Sequence, residues 1–156
     1  MYDLPPEFHF EILYWKAEGK SVWPDIHSKV YPGGLNLQHS VAYWLTLDLL
    51  ASSGQTAVRV HNSSEADVIF VPFFSSICFN RFSRLNPHQN TNRNKELQQK
   101  LVKYLTGQPE SQRSGGIDHI IVAHHPNSYI KSEWQRSGGI YTGGYIISPE
   151  KYLPQL

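Results

Sequence analysis

ADVIFVPFF, residues 66–74, is the stretch that decides the fold. It is apolar almost without alternation, which is typical of a strand buried on both faces in the centre of a parallel sheet. Pro72 has no backbone N–H to donate to a neighbouring strand, so the strand should end there. The stretch therefore predicts a central parallel strand.

Other apolar runs alternate with helical patterns on either side of this strand. HIIVA, residues 119–123, predicts a second continuous apolar strand, and TAVRV, residues 56–60, predicts a short β-branched one. Residues 41–52 and 94–104 have the apolar spacing of helices. Strands and helices that alternate in this way are typical of βαβ units, so we predict an α/β fold with a parallel sheet and flanking helices.

The same spacing predicts which side of each helix is buried. The first helix should bury one stripe and part of the opposite side, and it should stop at Gly54. Residues 1–6 are interpreted as the end of a strand followed by a proline turn, and residues 7–17 as either a short helix or an extended segment. The predicted inward stripes are Val41, Trp44, Leu45 and Leu49 in the first helix, and Leu97, Leu101, Val102 and Leu105 in the second.

Reactive groups of a parallel sheet lie at the carboxyl ends of its strands. Three places in the sequence follow predicted strands: Asp3, residues 73–76, and residues 124–128. We expect these three places to share one rim of the sheet.

His124 and His125 stand at the end of the apolar strand in IDHIIVAHHPNS, residues 117–128. Adjacent side chains of a strand point to opposite faces, so the pair could hold one metal ion only if Pro126 bends the chain first. The alternative to catalysis is structural, with one histidine in the core and the other at the rim.

Composition excludes several classes of function. The chain has 156 residues, a formal charge of +1 and no face-sized cluster of Lys and Arg, so nucleic-acid binding is not expected. Its single cysteine, Cys78, excludes an internal disulfide and is best explained as a small buried hydrophobe. No apolar run reaches the ~18 residues that a membrane span requires.

Several motifs of cofactor and metal sites are also missing. The sequence contains no G-x-G-x-x-G, no phosphate-binding G-x-x-x-x-G-K-[ST], no zinc-type Cys/His spacing and no D-x-D. D-x-D is a common way to hold a divalent ion against a nucleotide diphosphate. An enzyme without it that acts on such a substrate would have to stabilise the diphosphate with cations and helix N-termini.

Five blocks in consistent order carry a family resemblance. They are YDLPPEFHF (2–10), YPGGLNLQHSVAYWLTLDLLAS (31–52), RVHNSSEADVIFVPFFSSICFNRF (59–82), NKELQQKLVKYLT (94–106) and GGIDHIIVAHHPNS (115–128). Together they resemble the exostosin-like glycosyltransferases, in particular the plant branch of arabinosyltransferase-type enzymes.

The resemblance implies an inverting, metal-independent transferase with a nucleotide-sugar donor and a polysaccharide acceptor. It implies a two-domain GT-B fold, in which the N-terminal Rossmann-like half handles the acceptor. It also implies a Golgi membrane protein with a lumenal domain, an anchor outside this sequence, and scope for homo- or hetero-oligomers with other glycosyltransferases.

Departures from the family suggest a fragment. Residues 1–128 are expected to form a partial acceptor-side domain, incomplete at both ends and inactive alone, and residues 129–156 a divergent tail. That tail repeats QRSGGI, which occurs at 112–117 and again at 135–140. A local duplication or a gene-model artefact explains two short copies better than a solenoid does.

The resemblance also gives roles to individual residues. His124 or His125 is the candidate general base, since an unperturbed pKa near ~6.5 suits removal of a hydroxyl proton, and Asp3 is the competing carboxylate. The substrate-binding candidates are Asn127, Ser75 and Ser76. A glycosylation sequon lies at Asn62-Ser63-Ser64.

Two other functions stay open at this point. The first is a non-catalytic module that binds carbohydrate or a protein partner, and the second is a relic without function. In such a module the aromatic residues would either stack on sugars or fill the core; these are Trp15, Trp23, Phe73, Phe74 and Phe79. The core is the expected place for the last three, because they follow a buried strand.

Overall fold

The computed structural model describes residues 1–25, 37, 39–51, 57–82, 93–123, 140–142 and 145–147, the last six as backbone only. The chain forms 3₁₀ helices at Pro6–Phe8, Phe10–Leu13 and Ser63–Glu65. The α-helices are α1 (Val41–Ala51), α2 (Ser75–Phe82), α3 (Arg93–Thr106) and α4 (Pro109–Ser114). The strands are β1 (Ile69–Phe70), β2 (His119–Ile121), β3 (Ile140–Thr142) and β4 (Tyr145–Ile147). Across these ranges, every helix is too short or too polar to cross a bilayer.

The four strands form one sheet in the order β1-β2-β3-β4. β1 and β2 are parallel, with Ile69 opposite His119 and Phe70 opposite Ile120. β3 is also parallel to β2, whereas β4 returns antiparallel to β3. The predicted α/β class with a small parallel sheet is confirmed, and β3 and β4 are strands that were not predicted.

β1 is shorter than the predicted stretch, but it ends where the sequence requires. The Val71 N–H still donates to the Ile120 carbonyl at 2.9 Å, and Pro72 then interrupts the ladder because it has no N–H. Val71, Phe73 and Phe74 are fully buried. The strand is thus deeply buried, as its unbroken apolar character indicates, but it is the outermost strand of the sheet and not a central one.

Residues 1–8 follow the other edge of β1 without forming a regular strand. The Tyr2 N–H donates to the Phe70 carbonyl at 3.0 Å, and the Phe74 N–H donates to the Phe8 carbonyl at 3.1 Å. The segment thus runs in the same direction as β1. The segment predicted as either a short helix or extended, residues 7–17, contains most of two short 3₁₀ helices, Pro6–Phe8 and Phe10–Leu13.

The strand predicted at residues 56–60 is wrong over its described part. Residues 57–60 contain no strand. The Arg59 side chain forms an ion pair with Asp3, with Nη2 2.6 Å from Oδ1. β-branched composition favours a strand only where a neighbouring strand offers a ladder.

The predicted inward side of α1 is wrong for Val41 and Trp44, whereas Leu45 and Leu49 are partly buried. The buried residues are Ala42, Tyr43 and Thr46, whereas Val41 and Trp44 are 48% and 45% exposed. Because α1 is apolar all round, spacing alone does not distinguish its sides, and aromatic contacts decide. Tyr43 packs against Phe74 with ring centroids 5.8 Å apart.

α3 confirms the second predicted helix, and it is one residue longer at its start and two at its end. Leu97, Leu101 and Leu105 are buried, as predicted, and Val102 is partly buried. Tyr104 makes edge-on contact with Tyr2, with ring centroids 6.5 Å apart. The helix thereby covers the sheet face on which Tyr2 lies.

α2 was not predicted. Four residues separate it from the carboxyl end of β1, and it contains Cys78, which is completely buried. Burial raises the pKa of the Cys78 thiol to about 12, so the thiolate that a nucleophile requires is disfavoured. The interpretation of Cys78 as a small core residue is confirmed.

Both copies of QRSGGI lead into the sheet. In the first copy α4 ends at Ser114, and Gly115 adopts a left-handed conformation with φ +63°, after which β2 begins at His119. The last residue of the second copy, Ile140, begins β3, the parallel neighbour of β2. The domain boundary at Ser128 stays a prediction.

Candidate functional site

The predicted rim lies where β1 and β2 end. The Ser75 hydroxyl donates to the Val122 carbonyl at 3.3 Å, so the segments that leave the two strands are joined directly. Ser75 and Ser76 are 1% and 4% exposed. Ser75 therefore makes a structural contact here, and substrate binding by Ser75 and Ser76 stays a prediction.

The predicted histidines follow this rim in sequence. Ala123, which is 7% exposed, is the last described residue before them. His124, His125 and Asn127 lie outside the described residues. Their roles as general base and substrate ligand stay predictions.

Asp3 lies between two side-chain donors. Arg59 Nη2 is 2.6 Å from Asp3 Oδ1, and the Trp23 indole N–H donates to the same oxygen at 2.8 Å. The Asp3 side chain is 58% exposed. Asp3 therefore joins three chain segments through one carboxylate oxygen.

His9 is a polar core residue that sequence reasoning missed. Its Nδ1 accepts the Phe10 N–H at 2.8 Å, so Nε2 must carry the proton that is donated to the Leu4 carbonyl at 2.9 Å. Burial lowers the pKa of His9 to about 4, and the ring stacks on Trp23 at 4.6 Å. His9 is thus a neutral structural histidine, and nothing in PEFHF distinguishes it from a surface one.

The aromatic residues proposed for sugar stacking are mostly internal. Phe73 and Phe74 are fully buried, which confirms the core interpretation. Trp23 stacks on His9, and Trp15 makes an edge-on contact with Phe10 at 6.2 Å. Both tryptophans are half-buried and packed against the core.

A second polar group that was not predicted lies at the amino end of β2. Tyr2 Oη is 2.7 Å from His119 Nε2, and His119 Nδ1 is 2.6 Å from Asp118 Oδ1. Burial raises the pKa of Tyr2. Partial burial alone would raise the pKa of Asp118, but hydrogen bonds from Ser114 and His119 outweigh it and lower that pKa. This chain of hydrogen bonds joins Tyr2 to the amino end of β2, the end opposite the rim.

Two cavities lie away from the rim. One, of about 500 Å³, separates α1 from the sheet and is lined by Leu45, Leu49, Phe70 and Ile120, among others. A smaller polar cavity of about 170 Å³ is lined in part by Tyr2, Asp3, His61 and Glu110. Within the described part of the chain, no cluster of three or more His, Cys, Asp or Glu side chains is arranged to hold a metal ion.

Asn62 is exposed just before the 3₁₀ helix Ser63–Glu65. Its Oδ1 accepts the Ser64 N–H at 3.0 Å and the Ser64 hydroxyl at 2.8 Å, and its Nδ2 donates to Glu65 at 3.0 Å. The sequon thus forms a local Asx turn that precedes β1, on the side of the sheet opposite the carboxyl rim.

Comparison with known proteins gives the family. The family model of the exostosin GT47 domain matches residues 1–141. The chain is 32% identical over 140 residues to an Arabidopsis thaliana protein named "Probable arabinosyltransferase ARAD1", a match that covers 84% of this chain and 31% of that protein. It is 27% identical over 130 residues to an Arabidopsis thaliana protein named "Probable xyloglucan galactosyltransferase GT17", covering 78% of this chain and 28% of that protein.

No solved structure matches the chain. The chain spans about a third of the length of the curated relatives that it matches. The family model, in contrast, covers most of the chain and includes β1, β2, both predicted helices and the sequence of the rim. The chain therefore belongs to the exostosin GT47 family.

Proposed function

We propose that this chain is the acceptor-side part of a GT-B glycosyltransferase that transfers a sugar from a nucleotide-sugar donor to a cell-wall polysaccharide. The observation that carries the proposal is the match of the exostosin GT47 model to residues 1–141. The relative named as a probable arabinosyltransferase favours an arabinosyl donor. Because the chain spans about a third of that relative, we propose that it is inactive alone.

The proposed reaction inverts the configuration of the transferred sugar. A general base removes the proton of the acceptor hydroxyl while its oxygen attacks the anomeric carbon, and the bond to the nucleoside diphosphate breaks. We assign the base to His124 or His125, which follow the carboxyl end of β2 in sequence. Asp3 is the weaker candidate because Arg59 and Trp23 already bind its Oδ1.

Substrate contacts are proposed for the residues beside the base. Asn127 follows the histidines, and Ser75 and Ser76 begin α2 next to the end of β2. The leaving diphosphate would be stabilised without a metal ion, by cations and helix N-termini of the complete enzyme.

Substitution of the two histidines tests the base. In a full-length family member with the same residues at the aligned positions, His124→Ala or His125→Ala should lower kcat by about 10²–10⁴-fold, the usual contribution of a general base. Sugar transfer to the polysaccharide is measured, and this 156-residue chain alone serves as the inactive control. Near-normal rates in both variants would exclude both histidines, and a large loss only in Asp3→Asn would transfer the role to Asp3.

The cellular setting is a proposal of the same kind. We place the complete protein in the Golgi lumen, held by a membrane anchor outside this sequence and able to associate with other glycosyltransferases. A lumenal location brings the Asn62 sequon to the glycosylation machinery.

Expression through the secretory pathway should add a glycan at Asn62. The side chain is exposed and the Asx turn presents it on the surface, where a glycan meets no core residue. Treatment with an N-glycosidase should increase gel mobility, and Asn62→Gln should remove the shift. Ser63→Ala, which leaves the sequon intact, is the matched control. Unchanged mobility of the wild-type chain would contradict glycosylation at this site.

A further inference from the structure

Tyr14 is presented to solvent in an unusual backbone conformation. Its φ is +68°, and it is the one residue other than glycine with a positive φ in the described ranges. It ends the 3₁₀ helix Phe10–Leu13, and it is 82% exposed. A left-handed conformation is unfavourable for a residue with a Cβ, and such residues cluster at ligand sites. Because the ring is exposed, packing in the core does not explain why Tyr14 adopts this backbone conformation.

Two arginines and a second ring continue from Tyr14 across the surface. The Cζ atom of Arg81 lies 3.2 Å from the centroid of the Tyr14 ring, and the same guanidinium donates to the Ile12 carbonyl. Arg81 Cζ is also 5.7 Å from the centroid of the Phe82 ring, and Arg93 Cζ is 4.9 Å from that ring. We call Tyr14, Arg81, Phe82 and Arg93 the Tyr14 patch.

The arginines of the Tyr14 patch, Arg81 and Arg93, are not engaged in ion pairs within the described residues. Burial and the nearby Arg93 charge both lower the pKa of Arg81. Acidic residues lie nearby in sequence, Glu96 in the first turn of α3 and Glu11 in the 3₁₀ helix that Tyr14 ends, but neither forms an ion pair with these arginines. The patch is therefore suited to an anionic ligand.

The patch lies on connections that leave the carboxyl rim. The 3₁₀ helices follow the segment that runs beside β1, and Phe8 accepts the N–H of Phe74, two residues after Pro72. α2, which carries Arg81 and Phe82, begins at the next residue, Ser75. A ligand on the patch would thus be on the part of the chain that our proposed function assigns to the acceptor.

We propose that the Tyr14 patch binds a carboxylated sugar residue, a uronate, of the acceptor polysaccharide. This inference rests on the proposed acceptor role. The exposed Tyr14 ring offers a flat apolar surface for a sugar ring, and a guanidinium matches a carboxylate in geometry. Arg81 uses one donor for Ile12 and retains others, while Arg93 is exposed at the start of α3.

Binding of short oligosaccharides to the 156-residue chain tests the proposal. Trigalacturonate should bind roughly tenfold more tightly than a neutral arabinan trimer at low salt, and the preference should fall as salt rises. Tyr14→Asn should weaken trigalacturonate binding roughly tenfold, and Tyr14→Trp should retain it. Asn is chosen because it tolerates a left-handed backbone. Arg93→Gln should weaken binding about three- to fivefold, as expected for an exposed charged contact.

Lys103→Gln is the matched control, because it removes the same charge from an exposed residue in the last turn of α3. It should change the affinity less than about twofold. Equal binding of charged and neutral trimers, or an unchanged affinity in both Tyr14→Asn and Arg93→Gln, would overturn the uronate subsite and leave the acceptor role standing. No binding of any trimer would overturn both. Binding of uridine diphosphate that is lost in Arg93→Gln, without glycan binding, would assign the cations to a phosphate instead.

Discussion

Replacement of Phe74 by alanine is expected to lower the free energy of unfolding by about 3–5 kcal/mol. Phe74 is fully buried, and its ring centroid lies 5.2 Å from that of Phe10, 5.8 Å from that of Tyr43 and 6.2 Å from that of His9. His9 and Phe10 belong to the amino-terminal 3₁₀ segment and Tyr43 belongs to α1, so a cavity at Phe74 would loosen contacts with two separate segments of the chain. Since small domains are stable by only about 5–15 kcal/mol, much of the net stability would be lost.

Denaturant unfolding of the wild-type chain and the variant measures this loss. Val58→Ala is the control, because Val58 is 80% exposed and its substitution should change stability by less than about 0.5 kcal/mol. If Phe74→Ala does not fold, Phe74→Leu should still fold and lose a smaller amount, because it leaves a smaller cavity. A loss below about 1 kcal/mol in Phe74→Ala would show that the aromatic cluster formed by Phe74, Phe10, Tyr43 and His9 is not the main core.

The aromatic cluster also matters for the rim. Phe74 stands between β1 and α2, and its N–H is bonded to Phe8 at the end of the edge segment. Ser75, the next residue, connects to Val122 after β2. The same residues that form the core therefore position the connections on which acceptor binding is proposed.

Continuous apolar runs predicted β1 and β2, because a strand that is buried on both faces is apolar at nearly every position. The stretches around β1 and β2 have this pattern, and Pro72 marks the end of β1 by its missing N–H. α3 was predictable for a related reason: its leucines recur at helical spacing on a helix that is otherwise polar. The strands are shorter than the apolar runs because burial continues beyond the ladder, as at Phe73 and Phe74.

The inward side of α1 could not be read from spacing. A helix that is apolar all round gives no preferred side, and its orientation depends on which ring meets Phe74. The strand prediction for residues 56–60 was wrong over residues 57–60 for a similar reason, since strand composition does not supply a partner strand. In both cases the deciding contact comes from a distant part of the chain.

The hydrogen bonds of buried polar side chains could not be predicted from the sequence for the same reason. Tyr2 and His119 are 117 positions apart, and neither has a neighbour in sequence that marks it as half of a hydrogen bond. The family resemblance directed attention to the rim, and so to residues 124–128, but it contains no information on how buried histidines are satisfied. His9 shows that a histidine in an aromatic segment can be a structural residue of the core.

The stability of the chain should fall as the pH is lowered below about 6.5, and His9 should cause much of this fall. The pKa of His9 is lowered to about 4 in the folded chain, against an ordinary value of 6.5. Between these values the unfolded chain binds a proton that the folded chain excludes, so the unfolded state is favoured as the pH drops. The full difference between the two pKa values corresponds to a loss of stability on the order of 3 kcal/mol. This loss is complete below about pH 4 and absent above about pH 7.

His9→Gln isolates this contribution. Glutamine does not titrate and can still donate to the Leu4 carbonyl, and the substitution leaves every other titrating side chain in place. Free energies of unfolding are measured at pH 7.5 and pH 4.5 for both proteins. The wild-type chain should lose about 2–3 kcal/mol more than His9→Gln between these conditions, even if the variant is less stable at neutral pH. Equal losses would mean that His9 accepts a proton in the folded chain, and the neutral Nε2–H form inferred from its two hydrogen bonds would then be wrong.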